Sequence, residues 1–264
     1  MTNLNHNIPP SLLSEQDPKP FTWLHHDLDV PVLIICDHAS NAVPQVLSSL
    51  GLAENDLSDH IAWDIGAADL SRQLADELGW PALLAGFSRL VIDCNRYLSD
   101  PQSIPEHSDG NWIPGNAGLN TDEREQRRQA IFWPYHGAIT DHLADLQTRH
   151  RSPVVISVHS FTPALNGGPR PWEIGVLWNH DHRLARPMLD ALSAYPDITV
   201  GDNVPYTGRH PCNFSMNYHG EDAHLPLLML EVRNDLLSEP KSRARWCDIL
   251  ATTLTSVVNE FVLQ

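Results

Sequence analysis

The sequence lacks the features of membrane-spanning and exported proteins. Its 264 residues contain no uninterrupted apolar run of the kind that crosses a bilayer, which requires about eighteen residues or more. The first twenty residues have neither the basic region nor the apolar region of a signal peptide. We therefore predict a soluble, cytoplasmic protein with no membrane partner.

Basic residues are scarce. The chain has 17 Lys and Arg against 33 Asp and Glu, which gives a formal net charge of −16. A protein of this charge repels the phosphate backbone of nucleic acids, so we predict no nucleic-acid partner. Such a protein can bind an acidic small molecule only where a few arginines are concentrated.

Cysteines are also few and lie far apart. Cys36, Cys94, Cys212 and Cys247 form no CxxC pair, a pattern that favours buried free thiols over disulfides or a thiolate metal site. Histidines, by contrast, number fifteen. A single histidine is therefore weak evidence of a site unless its surroundings are specific.

Short apolar segments alternate with longer segments of helical periodicity. The predicted buried strands are 31–36, 89–93, 153–158, 173–178 and 225–232. The predicted helices are 58–78, capped by Ser58 or Asp59, 122–150, capped by Asp122 with Glu125 and kinked at Pro134, 181–195 and 240–262. This alternation predicts a single α/β domain with a doubly wound, mainly parallel sheet.

Two further segments are rich in proline and polar residues. Residues 1–20 contain four prolines and no periodicity, which predicts a flexible N-terminal arm or a surface strap, with the folded domain at 21–264. Residues 99–120 hold too many Pro, Gly and Asn residues for regular structure. They predict a large loop of the kind found at functional faces.

Polar clusters lie at the carboxyl ends of four of the predicted strands. They are Asp37-His38, Asn95-Arg96, His159-Ser160 and the segment 231–235. Ligands of open α/β sheets bind beyond the carboxyl ends of the strands. We therefore expect these clusters to converge on one site.

Two of the clusters supply histidines suited to a catalytic metal. Zinc in a hydrolase takes about three protein ligands and keeps one position open, and His38 and His159 are the candidate nitrogen ligands. The third ligand is Asp64 or Asn41. We favour Asp64, because a carboxylate binds Zn²⁺ more strongly than an amide and offsets its charge, although a helix dipole alone would also favour an acid there. Another divalent metal is the alternative to zinc.

Glu231 is the candidate general base, because it lies at the end of a buried strand beside this expected site. The alternative is a structural pairing with Arg233 or Arg209. Arg96, Arg209 and Arg233 can each form paired hydrogen bonds with a substrate carboxylate. We take these three arginines, with Asn41 and Asn95, as candidate substrate-binding residues.

Six segments between residues 33 and 237 carry a resemblance to a known family. They are LIICDHASNAVP, HIAWDIGAADLSRQLADELG, FSRLVIDCNR, FWPYHGAI, VVISVHSFTP and MLEVRNDLL. Together they resemble the N-formylglutamate amidohydrolase family and, more distantly, zinc carboxypeptidases and aspartoacylase-like hydrolases. The resemblance implies a phosphorylase/hydrolase-like catalytic domain over residues 21–264, a bound zinc, and hydrolysis of a small acidic N-acyl amino acid.

Individual positions agree with this resemblance and also depart from it. His38 and His159 match metal histidines, Glu231 matches the carboxypeptidase-type base, and Asn95-Arg96 is similar to a pair that holds a terminal carboxylate. The carboxypeptidase His-x-x-Glu motif, however, has Asn41 in place of the glutamate. The loops around 100–120 and 160–172 also differ from those of histidine-pathway deformylases.

Two other functions remain as alternatives. One is a metallopeptidase or cell-wall amidase that uses the same metal centre. The other is a non-catalytic relative that binds a small molecule without metal. The presence of His38, His159 and Glu231 together favours an enzyme.

Overall fold

The computed structural model describes residues 11–165, 167–209 and 213–262. The helices are α1 Glu54–Ser58, α2 Ala67–Leu78, α3 Thr121–Arg127, α4 Trp133–Arg149, α5 Ala185–Ser193 and α6 Pro240–Val262. The strands are β1 Phe21–Leu24, β2 Val32–Cys36, β3 Ala82–Ala85, β4 His107–Ser108, β5 Asn111–Trp112, β6 Val154–Phe161, β7 Ala164–Leu165, β8 Gly168–Pro169, β9 Ile174–Leu177, β10 Val200–Asp202 and β11 Leu227–Arg233.

Seven strands form a central sheet in the order β1-β3-β2-β6-β11-β9-β10. Strands β3, β2, β6 and β11 run parallel to one another. Strand β1 is antiparallel to β3, and β9 is antiparallel to β11. The predicted α/β class with a mainly parallel sheet is confirmed. The remaining strands form two short hairpins, β4-β5 and β7-β8.

The central strands are buried on both faces, which explains their nearly continuous apolar sequence. Successive side chains of a strand point to opposite faces. Val154, Ile156 and Val158 of β6 accordingly belong to an apolar cluster with helices α2, α5 and α6. Val155 of β6 packs instead with Leu33 and with residues of α4. The odd-numbered positions of β6 therefore face the α4 side of the sheet.

The prediction of a strand at 89–93 is wrong. Residues 89–91 form a turn, and residues 92 and 93 have no regular structure. The strand in this part of the chain is β3, at Ala82–Ala85. Leu90, Val91 and Ile92 are buried, so their apolar character serves the core without a ladder of backbone hydrogen bonds.

The predicted helix at 58–78 ends where predicted, but it begins later than predicted. Helix α1 ends at Ser58, and α2 begins only at Ala67. Gly66 precedes α2 with a φ of 83°, and a Cβ at this position would lie 2.4 Å from Leu237 Cβ. Glycine is therefore required at the point where the chain enters α2. Neither Ser58 nor Asp59 caps α2.

The predicted helix at 122–150 begins with a different cap. The side chain of Asn120 accepts hydrogen bonds from the backbone of Asp122 and Glu123, so the predicted cap at Asp122 is wrong by two residues. A π-helical stretch at 128–132 joins α3 to α4. Pro134 is the second residue of α4 and lies just beyond this π-helical stretch.

The predicted arm at 1–20 falls partly outside the described residues, which begin at 11. Leu12 is buried against the apolar cluster on the α4 side of the sheet. The backbone of Gln45 donates a hydrogen bond to Asp17. The boundary at residues 20 and 21 stays a prediction. In the described part of the chain, every helix is too short or too polar to cross a bilayer.

Candidate active site

A cluster of ionisable side chains lies on the α4 side of the sheet, near the carboxyl ends of its parallel strands. His159 is an odd-numbered residue of β6, so the strand alternation that buries Val155 also directs His159 to this face. Glu231 is the direct neighbour of His159 in the β6-β11 ladder. His159 lies within β6, whereas we expected it to follow the strand, and Glu231 lies near the carboxyl end of β11, as expected.

Asp64 and His38 are brought together by their backbones. His38 lies in the turn after β2, and its carbonyl accepts a hydrogen bond of 3.0 Å from the backbone N–H of Asp64. Asp64 lies two residues before Gly66, in the segment that leads into α2. The prediction that Asp64 belongs to the first turns of a helix is therefore wrong, but its predicted position at the site rim is where the structure places it.

Three donor atoms converge at this point. Ligand atoms of His38, Asp64 and His159 all lie within 4.8 Å of one another, and all three residues are buried. The Nδ1 atoms of His38 and His159 lie 3.3 and 2.8 Å from Asp64 Oδ2. Among the described residues, this is the group of His, Cys, Asp and Glu side chains whose geometry could hold a metal ion.

The second nitrogen of each imidazole faces a further carboxylate. His38 Nε2 lies 2.7 Å from Asp93 Oδ1, and His159 Nε2 lies 3.1 Å from Asp37 Oδ2. Each ring thus has a carboxylate at both nitrogens, Asp64 at Nδ1 and Asp93 or Asp37 at Nε2. With the N–H on Nε2, a cation at Nδ1 would take the place of the second proton. Metal-binding histidines are commonly oriented in this way by carboxylates.

The carboxylates Asp37 and Asp93 are themselves tightly held. Asp37 Oδ1 accepts hydrogen bonds from the hydroxyls of Tyr135 and Ser215, at 2.9 and 2.8 Å. Asp93 accepts two hydrogen bonds from the guanidinium of Arg89, at 3.1 and 2.8 Å. Both acids are therefore fixed as hydrogen-bond acceptors for the imidazoles.

The electrostatics of the cluster favour a bound cation. Burial alone would lower the pKa of His159, but hydrogen bonds to Asp37 and Asp64 hold that pKa well above its usual value. Burial alone would raise the pKa of Asp64, but the neighbouring charge of His38 and the hydrogen bond to His159 hold it far below its usual range. The site thus attracts positive charge onto its nitrogen atoms.

The residues present fit a divalent metal ion. Two nitrogen lone pairs and a carboxylate oxygen that point at one another repel unless a proton or a cation lies among them. The carboxylates of Asp37, Asp64 and Asp93 are opposed by the guanidinium groups of Arg89 and Arg96, so with neutral imidazoles the cluster has an excess of negative charge that a cation would offset. Two imidazoles and one carboxylate are also the donor set of several catalytic zinc sites.

Glu231 has no hydrogen bond of its own among the described residues. It is 7% exposed, its Oε2 atom is buried without a partner, and it lines the same cavity as the metal candidates. Burial raises the pKa of Glu231 to about 7, against the opposing effect of the nearby imidazole of His159. The alternative pairing with Arg233 or Arg209 is absent from the described hydrogen bonds and ion pairs.

The cavity over this cluster has a volume of about 470 Å³. Of the candidate substrate-binding residues, Asn95 and Arg96 line it. They reach it from a segment without regular structure rather than from a strand end. Asn95 is held in place by two hydrogen bonds. Its Oδ1 accepts one from the backbone N–H of Ser215, and its own backbone N–H donates one to Asp93.

The structure does not bring Arg209, Arg233 or Asn41 to the walls of this cavity. The guanidinium of Arg209 stacks 4.3 Å from the ring of Trp178. Arg233 forms an ion pair with Asp235 at 2.8 Å. The side-chain amide of Asn41 donates to the carbonyl of Leu57 at 2.9 Å. The expectation that all these side chains converge is therefore wrong.

Several residues of the site were missed by the sequence analysis. Arg89 lines the cavity and contacts Asp93 and Asp64, but the sequence assigned it to a strand. Asp93 follows a buried apolar run as Asp37 does, so the acid after an apolar run was a usable signal. Tyr135 and Ser215 had no such signal, because only tertiary packing brings them to Asp37.

A buried pair of histidines was also missed. His136 Nδ1 lies 2.9 Å from His219 Nε2, and His136 Nε2 lies 2.7 Å from the carbonyl of Cys94. Burial lowers the pKa of His136 to about 4 and that of His219 to about 3. Both rings are therefore neutral at physiological pH and act as polar members of the core behind the site.

The sequence and fold are similar to those of known proteins. Residues 30–238 match the family described as N-formylglutamate amidohydrolase. A gene product of Agrobacterium tumefaciens with a solved crystal structure is 33% identical, with a TM-score of 0.91, over 95% of this chain and 99% of the other. No protein of curated function is significantly similar to the chain.

A second solved structure has the same fold at lower identity. The N-formylglutamate amidohydrolase from Ralstonia eutropha JMP134 is 20% identical, with a TM-score of 0.69, over 92% of this chain and 98% of the other. An N-acetylmuramyl-L-alanine amidase from Mycobacterium abscessus, with a TM-score of 0.41 and 11% identity over 86% of this chain and 98% of the other, is too dissimilar to bear on function.

Proposed function

The chain belongs to the N-formylglutamate amidohydrolase family, whose members hydrolyse carbon–nitrogen bonds other than peptide bonds, and from this premise we propose that it hydrolyses the amide of a small N-acyl amino acid. In this proposal His38, Asp64 and His159 hold a divalent metal ion, Zn²⁺ in the first instance. Glu231 is the general base. The observation that carries the proposal is the unpartnered carboxylate of Glu231 beside three convergent metal donors in one cavity.

The bound metal would supply Lewis acidity to the acyl carbonyl and to a water molecule. The chain's own residues do the rest. Asp93 and Asp37 hold the imidazoles of His38 and His159 with their Nδ1 atoms toward the centre. This fixed orientation removes the cost of ordering the rings when the metal binds.

Glu231 moves the protons of the reaction. Its carboxylate takes a proton from the attacking water as the water oxygen bonds to the acyl carbon. It then delivers that proton to the leaving nitrogen as the carbon–nitrogen bond breaks, which releases the acid and the free amino acid. Because Glu231 makes no side-chain hydrogen bond within the part of the chain that the structure describes, no such bond has to be broken there before it accepts this proton.

Asn95, Arg96 and Arg89 are the substrate-binding candidates in this proposal. All three line the cavity. The guanidinium of Arg89 is already committed to Asp93, whereas Arg96 approaches Asp93 only to 3.9 Å. Arg96 is therefore the better candidate to form hydrogen bonds with a substrate carboxylate. Asn41, Arg209 and Arg233 have other partners and are therefore weaker candidates than Arg96.

The proposal is tested by metal content and by turnover together. We expect the purified protein to contain, or to be activated by, about one zinc ion per chain. N-formyl, N-acetyl and N-succinyl derivatives of glutamate and aspartate would be screened for release of the free amine before and after chelation. Chelation should abolish turnover, and zinc should restore it. Full turnover after verified removal of all metal would overturn the metal mechanism.

A non-catalytic binding protein is distinguished by the same measurements. Such a protein would bind an N-acyl amino acid in calorimetry without releasing amine at any metal content. A peptidase would instead cleave unblocked dipeptides, which the amine assay detects equally well. Hydrolysis restricted to N-acyl amino acids is the result that our proposal requires.

A further inference from the structure

A second pocket continues from the candidate active site along the surface. It has a volume of about 180 Å³. Three side chains line both this pocket and the main cavity: Arg89, Arg96 and Tyr206. The two spaces therefore meet at these side chains. A ligand that reaches Arg96 from the metal site would enter the second pocket if it extended further.

Arg89 contacts the donor group in the main cavity and also lines the second pocket. One of its nitrogen atoms lies 3.5 Å from Asp64 Oδ1, a member of the convergent donor group. The same side chain forms part of the wall of the second pocket. A single side chain, Arg89, thus contacts a proposed metal ligand and also lines the second pocket.

The second pocket is polar beyond the arginines. Its outer wall includes Gln102, Ser108 and Asp109, which belong to the loop region that the sequence marked at 99–120. The side chains of Gln102 and Ser108 have no hydrogen-bond partner among the described residues. His60 Nε2 lies 3.1 Å from Asp109 Oδ2, and His60 Nδ1 lies 2.6 Å from Asp59 Oδ1. The wall therefore has free hydrogen-bonding groups and includes the carboxylate of Asp109 beside His60.

We propose that the natural substrate is an N-acyl amino acid whose side chain extends beyond that of glutamate and ends in a hydrogen-bond donor. The substrate's α-carboxylate lies at Arg96, and its extension lies in the second pocket against Gln102 and Asp109. An ammonium or amine group is the donor that suits the carboxylate of Asp109 best. This inference rests on the proposed function, because it assumes that the amide is cleaved in the main cavity.

Two synthetic amides of N-formylglutamate separate polar recognition from size. One carries a 2-aminoethyl group on the γ-carboxyl, and the other carries a propyl group of the same length. We expect kcat/KM for the aminoethyl amide to exceed that for the propyl amide by about tenfold, the value of one hydrogen bond to a charged partner. Equal values for the two amides would overturn the inference.

Variants of the outer wall locate the effect. Asp109→Asn should bring the ratio of kcat/KM for the aminoethyl amide to that for the propyl amide back toward one. Gln102→Ala should lower this ratio in part. Asparagine suits position 109, where φ is 43°, because asparagine tolerates the left-handed conformation. Asp122→Asn on α3 is the matched control, since Asp122 is exposed and lines neither space. An unchanged ratio in Asp109→Asn would contradict the assignment.

A binding measurement keeps the inference separate from the proposed function. Calorimetry with the two deformylated products, the γ-(2-aminoethyl) amide and the γ-propyl amide of glutamate, needs no turnover. If N-formylglutamate and both amides resist hydrolysis but the aminoethyl product binds about tenfold more tightly, the proposed function fails and the second pocket stands. Equal affinities of the two products would overturn the pocket assignment whatever the turnover.

Discussion

Strand β6 is buried along its whole length and β11 at every residue except Arg233, yet the two ends of these strands are built differently. Near their amino ends, Val155 and Leu228 pack in apolar clusters on opposite faces of the sheet. Near their carboxyl ends, His159 and Glu231 are buried beside Asp64. Burial stabilises the apolar end by about 25 cal/mol per Å² of apolar surface. The same burial destabilises ionised groups at the other end unless they are paired.

The comparison shows where this protein buries ionisable groups at a cost in folding stability. Asp37, Asp93 and the two imidazoles satisfy one another through hydrogen bonds. Glu231 has no hydrogen-bond or ion-pair partner among residues 11–165, 167–209 and 213–262. A buried, unpaired carboxylate is unfavourable for folding, and we expect function to require it. Changes at the apolar end should alter stability alone, and changes at the polar end should alter metal binding and rate.

The largest effect is expected from loss of the carboxylate in the donor group. Asp64→Ala should leave two neutral donors and a metal-poor protein, whereas Asn41→Ala should keep its metal because Asn41 donates to the carbonyl of Leu57. Zinc content after dialysis, measured by mass spectrometry, checks both. If Asn41→Ala lost zinc while Asp64→Ala kept one ion per chain, the third ligand would be Asn41.

The next largest effect is expected on the reaction rate, with no change in metal content. Glu231→Gln should lower kcat by about 10²-fold or more, the usual contribution of a positioned proton-transfer group, while zinc content stays unchanged. Glu260→Gln is the matched control, because Glu260 is exposed on α6. A normal kcat in Glu231→Gln would return this residue to a structural role.

A substitution at the apolar end should do the reverse. Leu228→Ala removes a side chain with no exposed surface, so the free energy of unfolding should fall by about 2 to 5 kcal/mol. Urea unfolding measures this change. Zinc content and kcat per folded molecule should be unchanged, and a loss of metal in this variant would show that the two ends are coupled.

The smallest effect is expected from the histidine pair behind the site. The pKa of His219 is lowered to about 3 in the folded protein, so its contribution to stability is present above the unfolded pKa of about 6.5 and is lost as pH falls. The stability difference between the wild type and His219→Asn should therefore shrink between pH 6.5 and pH 5, by about 1 to 2 kcal/mol.

Urea unfolding of both proteins at the two pH values measures this difference. Other titrating groups, including Glu231, are common to both proteins, and their contributions cancel in the comparison. A difference that stays constant or widens on acidification would mean that His219 is already charged in the folded protein.

Much of the fold could be predicted because the central strands are buried on both faces. Four of the five predicted strands correspond to β2, β6, β9 and β11, and the long helix at 240–262 has the predicted bounds. The strand at 89–93 could not be distinguished from buried irregular chain. Apolar residues report burial, whereas backbone pairing depends on neighbours that are distant in sequence.

The candidate site was predicted in part for the same reason. His38, Asp64, His159 and Glu231 do converge in the structure, and their metal-binding and catalytic roles stay predictions. Arg209 and Arg233 were expected at the cavity on the strength of their residue type alone. Their orientation was decided by Trp178 and Asp235. The predicted cytoplasmic location and the absence of a nucleic-acid partner also stay predictions.

The sequence by itself determined which residues are buried and which kinds of chemistry are available. Its apolar runs, the acids and histidines at the ends of those runs, and its family segments are all local patterns. Only the tertiary structure decided that Asp37 and Asp93 orient the two imidazoles, that Arg89 lines two pockets, and that Glu231 lacks a partner among the described residues. The physical reason is that hydrogen bonds and pKa values depend on a few ångströms between side chains from separate elements. No local pattern in the sequence encodes these distances.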